Sequence, residues 1–167
     1  VSKDPTTNDA GHRLPFAAES VPWETFSHGE RFAIRYRQLG EHGGGSHVGV
    51  CMEELAPGKQ AYPAHYHMLE EEHLLVLSGT LTLLLDGERY PMRAGDYVCF
   101  PAGQRAGHAI VNESDEACRY LIVGERNRAG DQVVNITREK KLTNMRSSTA
   151  DVLVTLRPPR IVSLDQA

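Results

Sequence analysis

The chain is poor in cysteine, which bears on where the protein resides. Its 167 residues include three cysteines, Cys51, Cys99 and Cys118, with no CxxC spacing between any two of them. Disulfide frameworks in short secreted chains use cysteines in pairs, and an odd, scattered set is more typical of free thiols. The sequence therefore predicts a reduced, cytoplasmic protein.

Long apolar runs are missing as well. The most apolar stretch, residues 74–85, is interrupted by Ser78, Gly79, Thr80 and Thr82. It falls short of the roughly 20 apolar residues that a membrane-spanning helix needs. The first residues are polar and lack the apolar core of a signal peptide. We expect no membrane partner, and the start at Val1 suggests a trimmed N-terminus.

An excess of basic charge is also lacking. The chain has 18 Lys and Arg against 22 Asp and Glu, a net charge of −4. Phosphate binding needs a basic face, so nucleic acid is not expected as a partner. One basic cluster contains Arg138, Lys140, Lys141 and Arg146. We favour a solvated polar connection there over a site for a polyanion.

The size and composition that are present fit one ordinary domain. Hydrophobic residues make up 40% of the 167-residue chain, enough for a packed core. We interpret residues 1–20 as a flexible polar leader, 21–130 as the folded barrel and 131–167 as a C-terminal extension. Residues 152–156 in the extension have a strand pattern, and we expect them to pack on the barrel or on a partner subunit.

The folded part is predicted to consist of short strands. Phe32, Ile34 and Tyr36 alternate with polar residues, and a similar alternation follows over residues 48–52. Asp86-Gly87 between two apolar stretches is typical of a tight β-hairpin. Closely spaced short strands without helical periodicity predict an all-β sandwich or closed barrel.

Two histidines form the first candidate site. His65 and His67 are two apart on a predicted strand, so both side chains face one side, with Cα atoms roughly 6.7 Å apart. Imidazoles placed in this way can converge on one metal ion. An HxH pair alone is a weak signal, because so short a motif often arises by chance.

Two longer stretches are more specific, because together they resemble the two motifs of the cupin superfamily. Residues 58–79 read GKQAYPAHYHMLEEEHLLVLSG and residues 95–112 read GDYVCFPAGQRAGHAIVN. Four residues separate His67 from Glu72, and six separate Glu72 from Gly79, as in the first cupin motif. In the second motif four residues rather than two separate Gly103 from His108. This even-numbered insertion keeps His108 on the same strand face and lengthens a loop at the barrel mouth.

The resemblance implies a fold and a metal site. The fold is a single-domain double-stranded β-helix, the jelly roll of small cupins, with its core motifs over residues 58–112. The site is one divalent metal ion, for which Zn, Mn, Fe and Ni are all compatible, on His65, His67, Glu72 and His108. Small cupins commonly form homodimers, and we expect residues 32–36 and 152–156 at the interface.

The sequence also suggests roles for the residues next to the predicted ligands. The spacing to Gly79 selects Glu72 from the run Glu70, Glu71 and Glu72; Glu71 is the alternative ligand. We expect the two glutamates that do not bind to be solvated rim charges. His73 is predicted to face away from the metal, and Asn112 to brace the end of a strand.

Three residues are candidates for catalysis, namely Tyr62, Lys59 and Arg105, with Tyr97 as a further residue at the cavity mouth. Each could orient an anionic substrate or move a proton. Packing or solvation at the rim is an equally good interpretation for each of them.

Three classes of function fit these observations, all with a small-molecule substrate or ligand. The first is a metal enzyme similar to sugar-phosphate isomerases, which we rank slightly ahead. The second is an iron-dependent dioxygenase, and the third a non-catalytic cupin that binds a small ligand. An isomerase should show basic side chains in the barrel, whereas an oxygenase should show an apolar pocket.

Overall fold

The structure, a computed structural model, describes residues 6–126, 130–136 and 142–147. Nearly all of this part is β-structure, which confirms the predicted fold class. A 3-10 turn, Ala18–Ser20, and one helical turn, α1 (Leu39–His42), are its helical elements. None of the described helices is long and apolar enough to span a membrane. Residues 152–156 lie outside the described part.

Two antiparallel sheets face each other. The first has the strand order β1-β2-β3-β10-β5-β8 and the second β12-β11-β4-β9-β6-β7. In chain order the strands are β1 (Glu24–His28), β2 (Phe32–Gln38), β3 (Val48–Leu55), β4 (His65–His67), β5 (Glu72–Ser78), β6 (Thr80–Leu85), β7 (Glu88–Arg93), β8 (Tyr97–Phe100), β9 (His108–Val111), β10 (Cys118–Glu125), β11 (Asp131–Ile136) and β12 (Leu142–Ser147).

Alternate residues of the facing strands fill the space between the sheets. On β3, Cys51, Glu53 and Leu55 are buried while Met52 and Glu54 are only partly so. The same period of two places Leu74 and Val76 of β5 inside. The core between the sheets also contains Ile34, Tyr36, Leu81, Leu83, Phe100, Ile110, Cys118, Tyr120 and Ile122.

Two tight turns connect neighbouring strands, and the first is the predicted hairpin. Asp86 and Gly87 both have positive φ, 49° and 90°, as a two-residue hairpin turn requires. Gly79, which ends the first motif, has φ of 72° and joins β5 to β6. A Cβ at Gly79 would lie 3.0 Å from the Ala117 carbonyl oxygen, so a larger residue would clash there.

Asn112 braces the barrel, as predicted. Its side chain is fully buried and its Nδ2 donates hydrogen bonds to the carbonyls of Leu55 and Glu116, at 2.8 and 2.7 Å. Its Oδ1 accepts a bond of 3.0 Å from the backbone amide of Ser114. The side chain therefore joins the end of β3 to the turn that precedes β10.

The strand over residues 32–36, which we expect at a dimer interface, lies inside its sheet. β2 pairs with β3 on one side and with β1, which the sequence did not predict, on the other. The edge strand on this side of the sheet is β1. The homodimer and its interface stay predictions, which sedimentation at micromolar concentration would test.

The described part of the predicted leader contacts the rest of the chain. Thr7 and Arg13 form an isolated bridge, and Thr6 is 2% exposed. Phe16 packs edge-on against His42, with ring centroids 4.8 Å apart. The flexibility expected for residues 1–20 stays a prediction.

Candidate metal centre

The predicted ligands come together between the two sheets. His65 and His67 lie on β4, and His108 lies opposite His65 on the neighbouring strand β9. Glu72 is the first residue of β5, in the facing sheet, on the same strand face as the core residues Leu74 and Val76. The two cupin motifs thus place three imidazoles and one carboxylate at one point inside the barrel.

The distances suit a shared ion. One ligand atom from each of His65, His67 and Glu72 lies within 4.8 Å of the other two. Glu72 Oε2 is 3.2 Å from His108 Nε2 and 4.0 Å from His67 Nε2. Donor atoms bound to one ion at about 2.0–2.2 Å lie roughly 3–3.6 Å apart, so Glu72 and His108 already have that spacing and the other atoms would have to move closer.

Each imidazole is held by a contact on its far side. His65 Nδ1 lies 2.8 Å from the carbonyl oxygen of Pro63, which can only accept, so Nδ1 carries the proton. His67 Nδ1 lies 2.6 Å from Asp131 Oδ2. The His108 ring stacks on Phe100 with centroids 3.8 Å apart. These contacts direct the Nε2 atoms inward, and the buried His67 Nε2 has no hydrogen-bond partner among the described residues.

Asp131 is a candidate functional residue that the motifs did not reveal. It is 1% exposed, and its other oxygen accepts a 2.8 Å bond from the backbone amide of Leu69. A carboxylate behind a histidine fixes its tautomer and makes it a better metal ligand. Asp131 is 64 residues from His67 in the chain, and nothing in its local sequence distinguishes it from a surface aspartate.

Glu70 was expected to be a solvated rim charge, and this is wrong. It is 3% exposed and lies with His67 and Asp131 in a second group of possible ligand atoms. Glu71 is partly exposed and forms an ion pair of 3.0 Å with His73 on the outer face of the sheet. His73 also contacts the hydroxyl of Tyr97 at 2.6 Å, so it faces away from the centre as predicted.

Burial and mutual charge set the protonation of the group. Burial, together with the neighbouring His108 and His67, lowers the pKa of His65 to about 3. Burial alone would raise the pKa of Glu72, but the hydrogen bond with His108 and the charges of the histidines outweigh it and lower it to about 2. A neutral His65 and an ionised Glu72 are the states that bind a metal ion.

The barrel interior beside this centre is lined by aromatic and acidic residues. Tyr62 lies edge-on to His65, with ring centroids 6.5 Å apart, and stacks on Phe26 at 5.9 Å. Glu53 of β3 and Tyr120 of β10 are cross-strand neighbours in one sheet, and both are at most 1% exposed. Sequence alternation would have placed Glu53 inside, but a single acidic residue in a strand is normally read as solvent-facing.

The other two catalytic candidates, Lys59 and Arg105, do not lie in the barrel interior. Lys59 donates a hydrogen bond of 2.7 Å from Nζ to the backbone carbonyl of Glu30. Arg105 is solvent-exposed on the loop between β8 and β9. Of the three residues that the sequence singled out, Tyr62 is the one that contacts a predicted ligand.

Comparison with known proteins agrees with this fold. Residues 51–124 match the Cupin domain family. The barrel is a cupin. A sugar phosphate isomerase of the cupin superfamily from Silicibacter pomeroyi DSS-3 has a similar structure, with a TM-score of 0.66 and 28% identity, covering 80% of this chain and 93% of that one. Quercetin 2,3-dioxygenase of Bacillus subtilis is 34% identical over 117 residues, 68% of this chain.

The cupin chain also matches a second family. Residues 92–167 match the TypA/BipA C-terminal domain. The large ribosomal subunit assembly factor BipA of Bacillus subtilis is 41% identical over 61 residues, which are 36% of this chain. The chain spans 34% of the length of the dioxygenase and 10% of that of the assembly factor.

Proposed function

We propose that this cupin is a metal-dependent enzyme acting on a small, oxygen-bearing substrate, with one divalent ion held by His65, His67, Glu72 and His108. The observation that carries the proposal is the unpartnered, buried Nε2 of His67, which its Asp131 contact directs toward Glu72. A buried polar atom without a partner is uncommon unless something absent from the chain itself binds it.

The donor set fits such an ion. Three imidazole nitrogens and one carboxylate oxygen suit Zn, Mn, Fe and Ni, and leave coordination positions open. When bound there, the ion would supply Lewis-acid chemistry or, if it is iron, redox chemistry. The residues themselves exclude water: Phe100 covers one face of His108, and Tyr62 covers the edge of His65.

The lining of the interior favours an aromatic or enolic substrate over a phosphorylated one. A phosphate group needs cations around it, but Lys59 is bonded to a backbone carbonyl and Arg105 is exposed to solvent. Tyr62 instead provides aromatic surface against the predicted ligand His65, and Phe26 stacks on Tyr62. Together with the 34% identity to a quercetin dioxygenase, this supports the dioxygenase over the isomerase.

The isomerase is a second candidate because the sugar phosphate isomerase from Silicibacter pomeroyi resembles the chain over 80% of its length. The two are separated by loading the protein with Fe²⁺ or Zn²⁺ and supplying quercetin or a sugar phosphate. We expect oxygen consumption with quercetin and Fe²⁺, and none with Zn²⁺. Isomerisation of the sugar phosphate with Zn²⁺ would reverse this ranking.

A non-catalytic binding role is tested by the same assays. Tight binding of quercetin or of the sugar phosphate without turnover, whichever metal is loaded, would support it. Turnover that follows metal occupancy would contradict it.

A further inference from the structure

A carboxyl group lies inside the barrel on a strand that carries none of the predicted metal ligands. Glu53 is in the middle of β3 and is 1% exposed. Its cross-strand neighbours are Tyr36 on β2 and Tyr120 on β10, both of them core residues. The next residue, Glu54, faces outward and binds Arg35 and Arg119 at 3.0 and 2.7 Å. The inward position of Glu53 thus follows from the strand alternation.

Three buried polar atoms in this part of the barrel make no hydrogen bond of good geometry among the described residues. They are Oε1 of Glu53 and the hydroxyl oxygens of Tyr62 and Tyr120. Tyr120 is the cross-strand neighbour of Glu53 and lies near enough for its hydroxyl to act on the carboxyl group. After burial, the charge of Glu53 is the next cause of the raised pKa of Tyr62 as well. Buried polar groups in native proteins are nearly always fully paired, so Oε1 of Glu53 and the hydroxyl of Tyr62 are available to bind a ligand.

We propose that Glu53, Tyr62 and Tyr120 form a substrate subsite that hydrogen-bonds an uncharged hydroxyl or carbonyl group. The subsite rests on the proposed function, because Tyr62 also lies against the ligand His65. The subsite therefore indicates the substrate class of the metal site. The substrate is a neutral molecule, and one phenolic, enolic or carbonyl oxygen of it is bound away from the metal.

The charge of the subsite explains why an uncharged group fits it. Burial raises the pKa of Glu53 to about 8, with the charge of Glu72 adding to the effect and the hydroxyl of Tyr120 opposing it. A protonated Glu53 both donates and accepts a hydrogen bond, as a phenol does. An anionic group there would lie near the carboxylate of Glu72 and beside two tyrosines. None of the three subsite residues carries a positive charge that would stabilise it.

The test compares two neighbouring residues on opposite faces of β3. Zinc-loaded wild type, Glu53→Leu and Glu54→Leu are titrated calorimetrically with catechol as the neutral probe and with inorganic phosphate as the anionic one. We expect Glu53→Leu to weaken catechol binding about tenfold and Glu54→Leu to change it less than about twofold, because only the former removes a buried hydrogen bond. Phosphate should bind wild type no more tightly than Glu53→Leu.

Equal affinity of wild type and Glu53→Leu for catechol would overturn the subsite, as would the absence of catechol binding to wild type. Tyr120→Phe, which removes one oxygen and keeps the packing, gives the same test if Glu53→Leu does not fold. Zinc content is measured on every sample. A wild type that does not bind zinc would count against the proposed function. Equal catechol affinity of wild type and Glu53→Leu, with zinc bound to both, would count against the subsite.

Discussion

The barrel and the C-terminal strand pair differ in how they are held and in what they bring to the metal centre. In the barrel, β10 pairs along its whole length with β3 and along most of it with β5, and β3 and β5 each pair with a further strand on their other side. β11 is joined to the barrel through three residue pairs on the short strand β4. The barrel supplies all four predicted ligands, and β11 supplies Asp131, the residue behind His67.

This difference shows that a motif can specify the ligands without specifying what orients them. The four predicted ligands lie in the cupin motifs. Asp131 lies beyond residue 124, where the match to the cupin family ends, within the stretch that matches the TypA/BipA C-terminal domain. The centre should therefore tolerate changes in the C-terminal strands better than changes in the barrel.

The largest effect is expected from a ligand in the barrel. Glu72→Gln removes the one carboxylate and replaces it with a neutral amide, so metal affinity should fall by at least about a hundredfold. Turnover should fall with it, while the apolar core keeps the barrel folded. Metal affinity from competition with a chelator and circular dichroism check this. Affinity within threefold of wild type would mean that Glu72 does not bind the metal.

A smaller effect is expected from the C-terminal strand. Asp131→Asn keeps the size of the side chain but removes the charge that pairs with His67, so metal affinity should fall about 10- to 100-fold. The pKa of His67, which burial alone would lower but the hydrogen bond to Asp131 raises, should fall as well. Chelator competition and NMR titration of the imidazole measure the two changes.

Asp96→Asn is the matched control, because Asp96 caps a turn by accepting a bond from the amide of Arg93 and is remote in sequence from the ligands. It should leave metal affinity unchanged. If Asp131→Asn also left it unchanged, the C-terminal strands would have no part in the centre.

Glu53 should make stability depend on pH. Its usual pKa is 4.5, and burial raises it to about 8 in the folded protein. Between these values the unfolded chain releases a proton that the folded chain keeps, so stability falls as pH rises. We expect a loss of about 2 kcal/mol between pH 5 and 7. The titratable groups that share its surroundings are Tyr36, Cys51, Tyr62, Glu72 and Tyr120.

Urea denaturation of wild type and Glu53→Gln at several pH values isolates this contribution, since the other groups are present in both. The free energy of unfolding of the variant should vary less between pH 5 and 7. Parallel curves for the two proteins would mean that Glu53 ionises normally in the folded state.

The smallest effect is expected at the barrel mouth. Arg105 is exposed on the loop before β9, so its contribution to binding a substrate is screened by solvent. Arg105→Ala should raise KM for an anionic substrate by less than about fivefold and leave kcat unchanged, because Arg105 would contribute mostly uniform binding. A fall in kcat as large as that of Glu72→Gln would place Arg105 in the reaction itself.

Much of the fold could be predicted from the sequence because strand alternation and turn residues are local signals. The spacing of the histidines and of Glu72 is equally local, and the structure brings these residues together. Alternation on β3 indicates an inward side chain at Glu53, although a single acidic residue in a strand is normally read as solvent-facing. Glu70 and Asp131 could not be assigned from local signals. Their burial depends on which strands pair, and no short motif encodes the pairing of β11 with β4.

The most direct test of the account is the metal content of the purified protein. Elemental analysis of wild type, His67→Ala and His73→Ala compares an inward and an outward histidine separated by five residues. We predict one divalent ion per chain in wild type and in His73→Ala, and a large loss in His67→Ala. Full metal content in His67→Ala, or loss in His73→Ala alone, would contradict the assignment of the metal centre.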